Sequence, residues 1–168
     1  IVGAAQFTQR KDTSECLDPL SLMDKTSKTA IDDTQSNKIL DIIDAIYMIN
    51  ISSWSYKDAP GELSTRLGIK PVEETLLPDG GHFPQMLVNR AAKAISSGKH
   101  RSVLITGGEA AYTIFKKFNN QKPSHWPTKK EPDYMEQKLW DYANEVEKKY
   151  GITLLKHLII PPRVIYKQ

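Results

Sequence analysis

A single cysteine, Cys16, in a chain of 168 residues excludes an internal disulfide framework and fits a reducing, cytoplasmic compartment. An excess of one charge is also missing. With 23 basic residues against 20 acidic ones, the net charge of +3 is too slight to argue for nucleic acid as a partner. No run approaches the ~18 apolar residues that span a bilayer, so no membrane segment is expected. Four histidines and one cysteine are scattered without ligand spacing, so no metal set emerges. Neither the lysine-ending phosphate loop nor the three-glycine dinucleotide fingerprint occurs. The first residues lack the basic-then-apolar order of a signal peptide. They read as the inside of a strand, which predicts a few residues ahead of Ile1. No repeat or low-complexity tract is apparent. The length suits one ordinary domain, and 39% hydrophobic with 26% charged residues describes a soluble globular protein.

What is present is an alternation of short apolar runs and amphipathic segments. Residues 1–7 read as a buried strand, because parallel strands covered on both faces need not alternate. Cys16 lies in the charged loop after them and reads as an ordinary buried or half-buried thiol. Asp18 and Pro19 open a helix as N-cap and first residue, with Leu20, Met23, Ala30 and Ile31 on its apolar face. Residues 38–43 extend a helix or turn, and 44–50 form a second strand by their β-favouring content. Strand, helix and strand make a right-handed crossover unit. Trp54 and Tyr56 either line a ligand cleft or fill the loop's own core. Residues 58–68 read as a short capped helix closed by Gly68, and 73–77 as a third strand.

The stretch from Leu77 to Gly98 organises the rest. Pro84 suits the first turn of a helix, where its missing N–H would have had no partner. Phe83, Leu87, Val88, Ala91, Ala92 and Ile95 then recur at helical spacing, a stripe that predicts packing on a sheet. Gly98 stops the helix. Gly80 and Gly81 precede it, at a place where exposed N–H groups and the positive helix end favour an anion or an activated nucleophile. His82 is the titratable side chain at that start, a candidate base or a group that orders the turn. Residues 101–106 read as a fourth strand, and Gly107 and Gly108 let the backbone turn sharply. Glu109 sits at the strand's carboxyl end, where crevices open in α/β sheets; it is a base or, in the plainer reading, a cap. Residues 115–131 are rich in lysine and proline, 133–150 read as a helix, and 152–160 as a strand or extended arm.

The pattern Val88-Asn89-x-Ala-Ala-x-Ala-Ile95-x-x-Gly98, followed by Val103-Leu-Ile-Thr-Gly-Gly-Glu-Ala110, resembles the central helix and next strand of the thiolase superfamily. The opening Ile1-Val-Gly-Ala-Ala-Gln6 is similar to that family's first strand, so the resemblance covers roughly residues 1–115. It implies an α/β fold, the thiolase-like N-terminal half, with a layered mixed sheet, helices on both faces and a loop/helix insertion. Residues 1–114 would form the core, and 115–168 the cationic loop region, helix and extended tail. In thiolases the central helix begins at a cysteine that takes the acyl group; the matching position here is Gly80 or Gly81. The wording Gly80-Gly81-x-x-Pro84-Gln85 resembles a thiolase-like subgroup, often labelled acetyl-CoA acetyltransferases, that lacks this cysteine.

The resemblance further implies a coenzyme A thioester as ligand. His82 becomes the candidate catalytic group, beside the glycines at the nucleophile position. Lys116, Lys117, Lys122 and Trp126 become candidate coenzyme contacts in the cationic loop. The strand at 73–77 becomes a candidate homodimer contact. The Gly-His-Pro and Cys-x-Gly motifs of a thiolase's second half do not occur, so a C-terminal half or second subunit is an expected partner. Three readings result: an acyl-CoA acyltransferase-family protein that is a pseudoenzyme at the cysteine step, a non-catalytic coenzyme A-binding or scaffolding module, or one half of a larger thiolase-like enzyme. An unrelated doubly wound domain is the generic alternative.

Overall fold

The structure, a computed structural model, describes residues 1–10, 12–119, 121–134, 146, 149 and 150. By compactness the chain divides into Ile1–Gln137 and Lys138–Gln168. The first unit holds the sheet, its covering helices and the glycine turn. The helix expected over 133–150 and the apolar arm over 152–160 lie, apart from a few positions, outside the described residues.

Among the described residues, strand β1 (Ile43–Ile49) is the centre of a three-stranded sheet, flanked by β2 (Glu73–Leu77) and β3 (Ser102–Thr106) in the order β2-β1-β3. Both pairings are parallel, with Tyr47 opposite Thr75 on one side and Ile105 on the other. Because successive side chains point to opposite faces, β1 feeds two cores at once. Ile46 and Met48 join Leu20, Met23 and Leu63 on one face. Ala45 and Tyr47 join Leu77, Phe83, Leu87 and Ala91 on the other. The first core belongs to helices α1 (Pro19–Asp33) and α2 (Ala59–Leu67), the second to α3 (Phe83–Ser96). Helices thus cover both faces, and among the described residues the sheet is wholly parallel where a mixed one was expected.

The helix ends follow local chemistry. Asp58 caps α2 by accepting the Gly61 N–H at 3.0 Å, and Gly68 closes it in the left-handed region at φ 70°. Asp18 precedes α1 as expected, but its carboxylate accepts from the Ser21 and Tyr56 hydroxyls and not from the helix amides. The capping role passes to Tyr56, whose hydroxyl oxygen accepts the Leu20 N–H at 3.2 Å. Burial, and then the Asp18 carboxylate, push the Tyr56 phenol far above its ordinary range. Past β3 the backbone runs so close to α1 that a Cβ at Gly108 would lie 2.9 Å from Met23 Cγ.

Residues 1–7 do not form the expected strand. Ile1 and Val2 are exposed, and the segment lies across the C-terminal end of α1, where Ala4 N–H donates to Asp33 Oδ2 at 2.9 Å. Gly3 is pressed so close that a Cβ would fall 2.2 Å from the Ala30 carbonyl oxygen. An apolar run supplies β propensity, but a strand also needs a partner edge, and here the Ala4 amide goes to Asp33 at a helix end. The strands read as third and fourth are therefore β2 and β3.

At the amino end of the sheet, Glu73 gathers three basic side chains from two other segments. Its carboxylate meets Arg90 Nη2 of α3 and His100 Nε2, each at 3.0 Å, and also the Lys99 ammonium. Burial raises its pKa, but the hydrogen bonds from Lys99, His100 and Arg90 more than offset that and bring it from 4.5 to about 2. Asp44 is held at about 2 by the side chain and backbone N–H of Arg101. Such carboxylates add stability that is complete above their unfolded-state values and lost as pH falls toward the folded ones. Chemical denaturation as a function of pH is expected to show stability falling between about 4.5 and about 2. Glu73→Gln should flatten that limb; an unchanged acid limb would remove Glu73 as its source.

Candidate functional site

Because all three strands are parallel, the segments leaving them meet at one edge, the edge where α/β folds place their crevices. Asn50 follows β1, its N–H donating to the Leu77 carbonyl at 2.7 Å and its side-chain amide to Asp79 Oδ1 at 3.1 Å. Those bonds tie the exit of β1 to the turn after β2. That turn, residues 78–82, delivers Gly80, Gly81 and His82 to the N-terminus of α3. It is closed by Phe83 N–H on the Gly80 carbonyl and Met86 N–H on the His82 carbonyl, both 3.1 Å.

The two glycines are not equivalent. A Cβ on Gly80 would sit 2.4 Å from Phe83 Cδ2, and Phe83 is buried in the core under α3 and cannot easily yield. A Cβ on Gly81 would meet nothing within 4 Å. Neither residue has positive φ. Position 81 can therefore carry a side chain at the mouth of the helix, and position 80 can do so only by moving an aromatic ring. His82 is half-buried, in helical conformation, with its ring centroid 4.1 Å from that of Phe83. Gly80, Gly81 and His82 share one turn, and the structure sets Asn50 and Asp79 beside it. The missed signal was their placement: an amide residue at a strand exit and an acid just before a glycine pair.

Glu109 takes a role other than the base or cap expected of it. Its carboxylate accepts the N–H groups of Ser52 at 3.0 Å, Ser53 at 3.2 Å and its own neighbour Ala110 at 2.8 Å. It braces the exit of β1 against that of β3, with three amides on its carboxylate.

The expected coenzyme contacts separate. Lys116, Lys117 and Lys122 are exposed, the first two ending a wide helical turn, Thr113–Lys117. Lys117 Nζ donates to the Thr13 carbonyl. Trp126 is placed otherwise: it is 2% exposed, its indole N–H donates to the Cys16 carbonyl at 2.6 Å, and its ring stands edge-on to Trp54 at 5.3 Å. A ring buried this way offers no face to a coenzyme. Trp54 and Tyr56 likewise fill core and do not line a cleft. Cys16 is buried on the α1 side, beside Leu22 and Ala110, whereas the glycine pair opens on the α3 side.

Two helices under the sheet, one over it, and a helix that starts at a glycine turn on the carboxyl edge make a thiolase-like α/β layer. Among solved structures, the chain is similar to the crystal structure of a monomeric SCP2-thiolase-like protein type 1 from Mycobacterium smegmatis, with 26% identity and a TM-score of 0.57. The match covers 67% of this chain and 24% of that one, so the chain spans about a quarter of the length of its structural relative. No protein-family model and no curated protein matches the sequence.

Proposed function

We propose that the chain is a thiolase-like acyl-CoA protein that binds a coenzyme A thioester without taking the acyl group onto itself. The observation that carries this is the glycine pair at the mouth of α3: backbone N–H groups and a positive helix end stand there with no attacking side chain. Such a place can polarise a thioester oxygen, and His82 beside it supplies one titratable ring. A glycine cannot accept an acyl group, and the chain's single thiol, Cys16, is on the other face of the sheet. Lys116, Lys117 and Lys122 are exposed cations suited to the coenzyme's phosphates. A buried free thiol accords with a cytoplasmic location. Calorimetric titration with acetyl-CoA is expected to show saturable binding, while intact-mass measurement of the same sample shows no acetyl adduct. An adduct on Cys16 or any other residue would overturn the non-acylating reading, and absence of binding would remove the ligand.

A second reading, one half of a larger thiolase-like assembly, is favoured by α3 itself. Phe83, Leu87, Ala91 and Ala94 are buried, but Val88 and Ile95, on the neighbouring flank of the same stripe, are 43% and 45% exposed. Of the six residues the sequence puts on one stripe, the structure buries Phe83, Leu87 and Ala91 and leaves Val88, Ala92 and Ile95 exposed. The uncovered flank suits a C-terminal half or a second subunit, and β2, an outer strand among the described residues, offers an edge for the dimer contact that the resemblance implies.

A further inference from the structure

A second opening lies at the carboxyl edge of the sheet, on the face opposite the mouth of α3. It is a cavity of about 390 Å³ between residues 7–10, α1 and the turn after β3. That volume falls in the range of roughly 300–1,000 Å³ typical of small-molecule clefts. None of Gly80, Gly81 and His82 lines it, so it is separate from the site at the glycine turn. Its inner wall is apolar, formed by Cys16, Leu22 and Ala110. Phe7 stands at its side, held under the Lys25 ammonium at 3.9 Å from the ring centroid.

The charges on the wall are two cations, Arg10 and Lys117, and one carboxylate, Glu109. Glu109 is engaged by three backbone N–H groups, and Lys117 by the Thr13 carbonyl. Arg10 is exposed and lines the cavity. A dianion would be repelled by Glu109, whereas one negative charge balances the excess of one cation. A planar carboxylate matches the guanidinium fork in two parallel hydrogen bonds.

We propose that this cavity binds a short-chain monocarboxylate, its acid group on Arg10 and its hydrocarbon against Leu22, Ala110 and Cys16. The proposal does not depend on coenzyme A binding at α3. Cys16 lines the cavity and is the only cysteine, so its alkylation reports occupancy without labelling elsewhere. With the full chain, saturating hexanoate is expected to slow iodoacetamide modification of Cys16 about tenfold and to shift the amide resonances of Ala110 and Thr113. Hexanol at equal concentration should do neither. Arg10→Ala should weaken hexanoate binding about tenfold, the loss expected for a charge-assisted pair; being exposed, it should leave the fold intact. No protection and no shifts with hexanoate would overturn the proposal. Equal effects from hexanol, or undiminished binding to Arg10→Ala, would overturn it too. Lys117 is shared with the proposed coenzyme contacts, so Arg10→Ala separates the two sites: it should weaken hexanoate binding and leave acetyl-CoA binding unchanged.

Discussion

Gly81→Cys, made in a Cys16→Ser background, is expected to yield a thiol that ionises well below 8.5, the ordinary value for a free cysteine, and alkylates roughly tenfold faster than an ordinary exposed thiol near neutral pH. The reason is geometric. A Cβ at position 81 meets nothing within 4 Å, the backbone there is unstrained, and the side chain stands at the start of α3 where the helix stabilises a thiolate. Given acetyl-CoA, this variant should show an acetyl adduct by intact mass that the parent does not. Gly80→Cys is the matched control. Its Cβ would fall 2.4 Å from Phe83 Cδ2, so it should cost about 1–3 kcal/mol in denaturant unfolding and gain no reactivity. A Gly81→Cys thiol that titrates like free cysteine, or a Gly80→Cys chain as stable as the parent, would mean that the mouth of the helix is built differently.

Leu87 and Val88 are adjacent on α3 and should respond in opposite ways. Leu87 is fully buried against β1, and Leu87→Ala is expected to cost about 2–5 kcal/mol, read as a lower denaturation midpoint with an unchanged slope. Val88→Asp, on the exposed flank, should change the stability of the isolated chain by no more than about 0.5 kcal/mol. If the flank receives a second half, Val88→Asp together with Ile95→Asp should abolish co-purification with that half while leaving the chain folded. A large loss of stability from Val88→Asp alone would place that flank inside the chain's own core.

Most of what was legible in the sequence came from strong local signals. Glu73–Leu77 reads as a short strand although two glutamates open it, and only Thr75, Leu76 and Leu77 favour that state. The second helix announces both its ends, by Asp58 and Gly68. The start of α3 follows from Pro84, and the glycine pair ahead of it from the same few residues. The misreadings concern partners that sequence does not name. Residues 1–7 have strand composition, but Asp33 takes the Ala4 amide. Trp126 sits among lysines in the sequence, yet packs on Trp54 and donates to Cys16 across 110 positions. Val88, Ala92 and Ile95 have the spacing of a buried face, but periodicity cannot tell whether the surface that would cover them is in the same chain. At the site, residue type identified Gly80, Gly81 and His82. The inequality of the two glycines appears only with the Phe83 ring in place.

The two outer strands differ in how they meet solvent. β2 begins with the charges of Glu73 and Glu74, and its last residues, Thr75, Leu76 and Leu77, are buried. β3 is half-exposed along its whole length, and Val103, Leu104 and Ile105 carry no charge. Among the described residues nothing pairs with its outer side. An uncharged apolar border of this kind is a template for strand addition between copies, which makes β3 the place where self-association of the isolated chain would nucleate at high concentration.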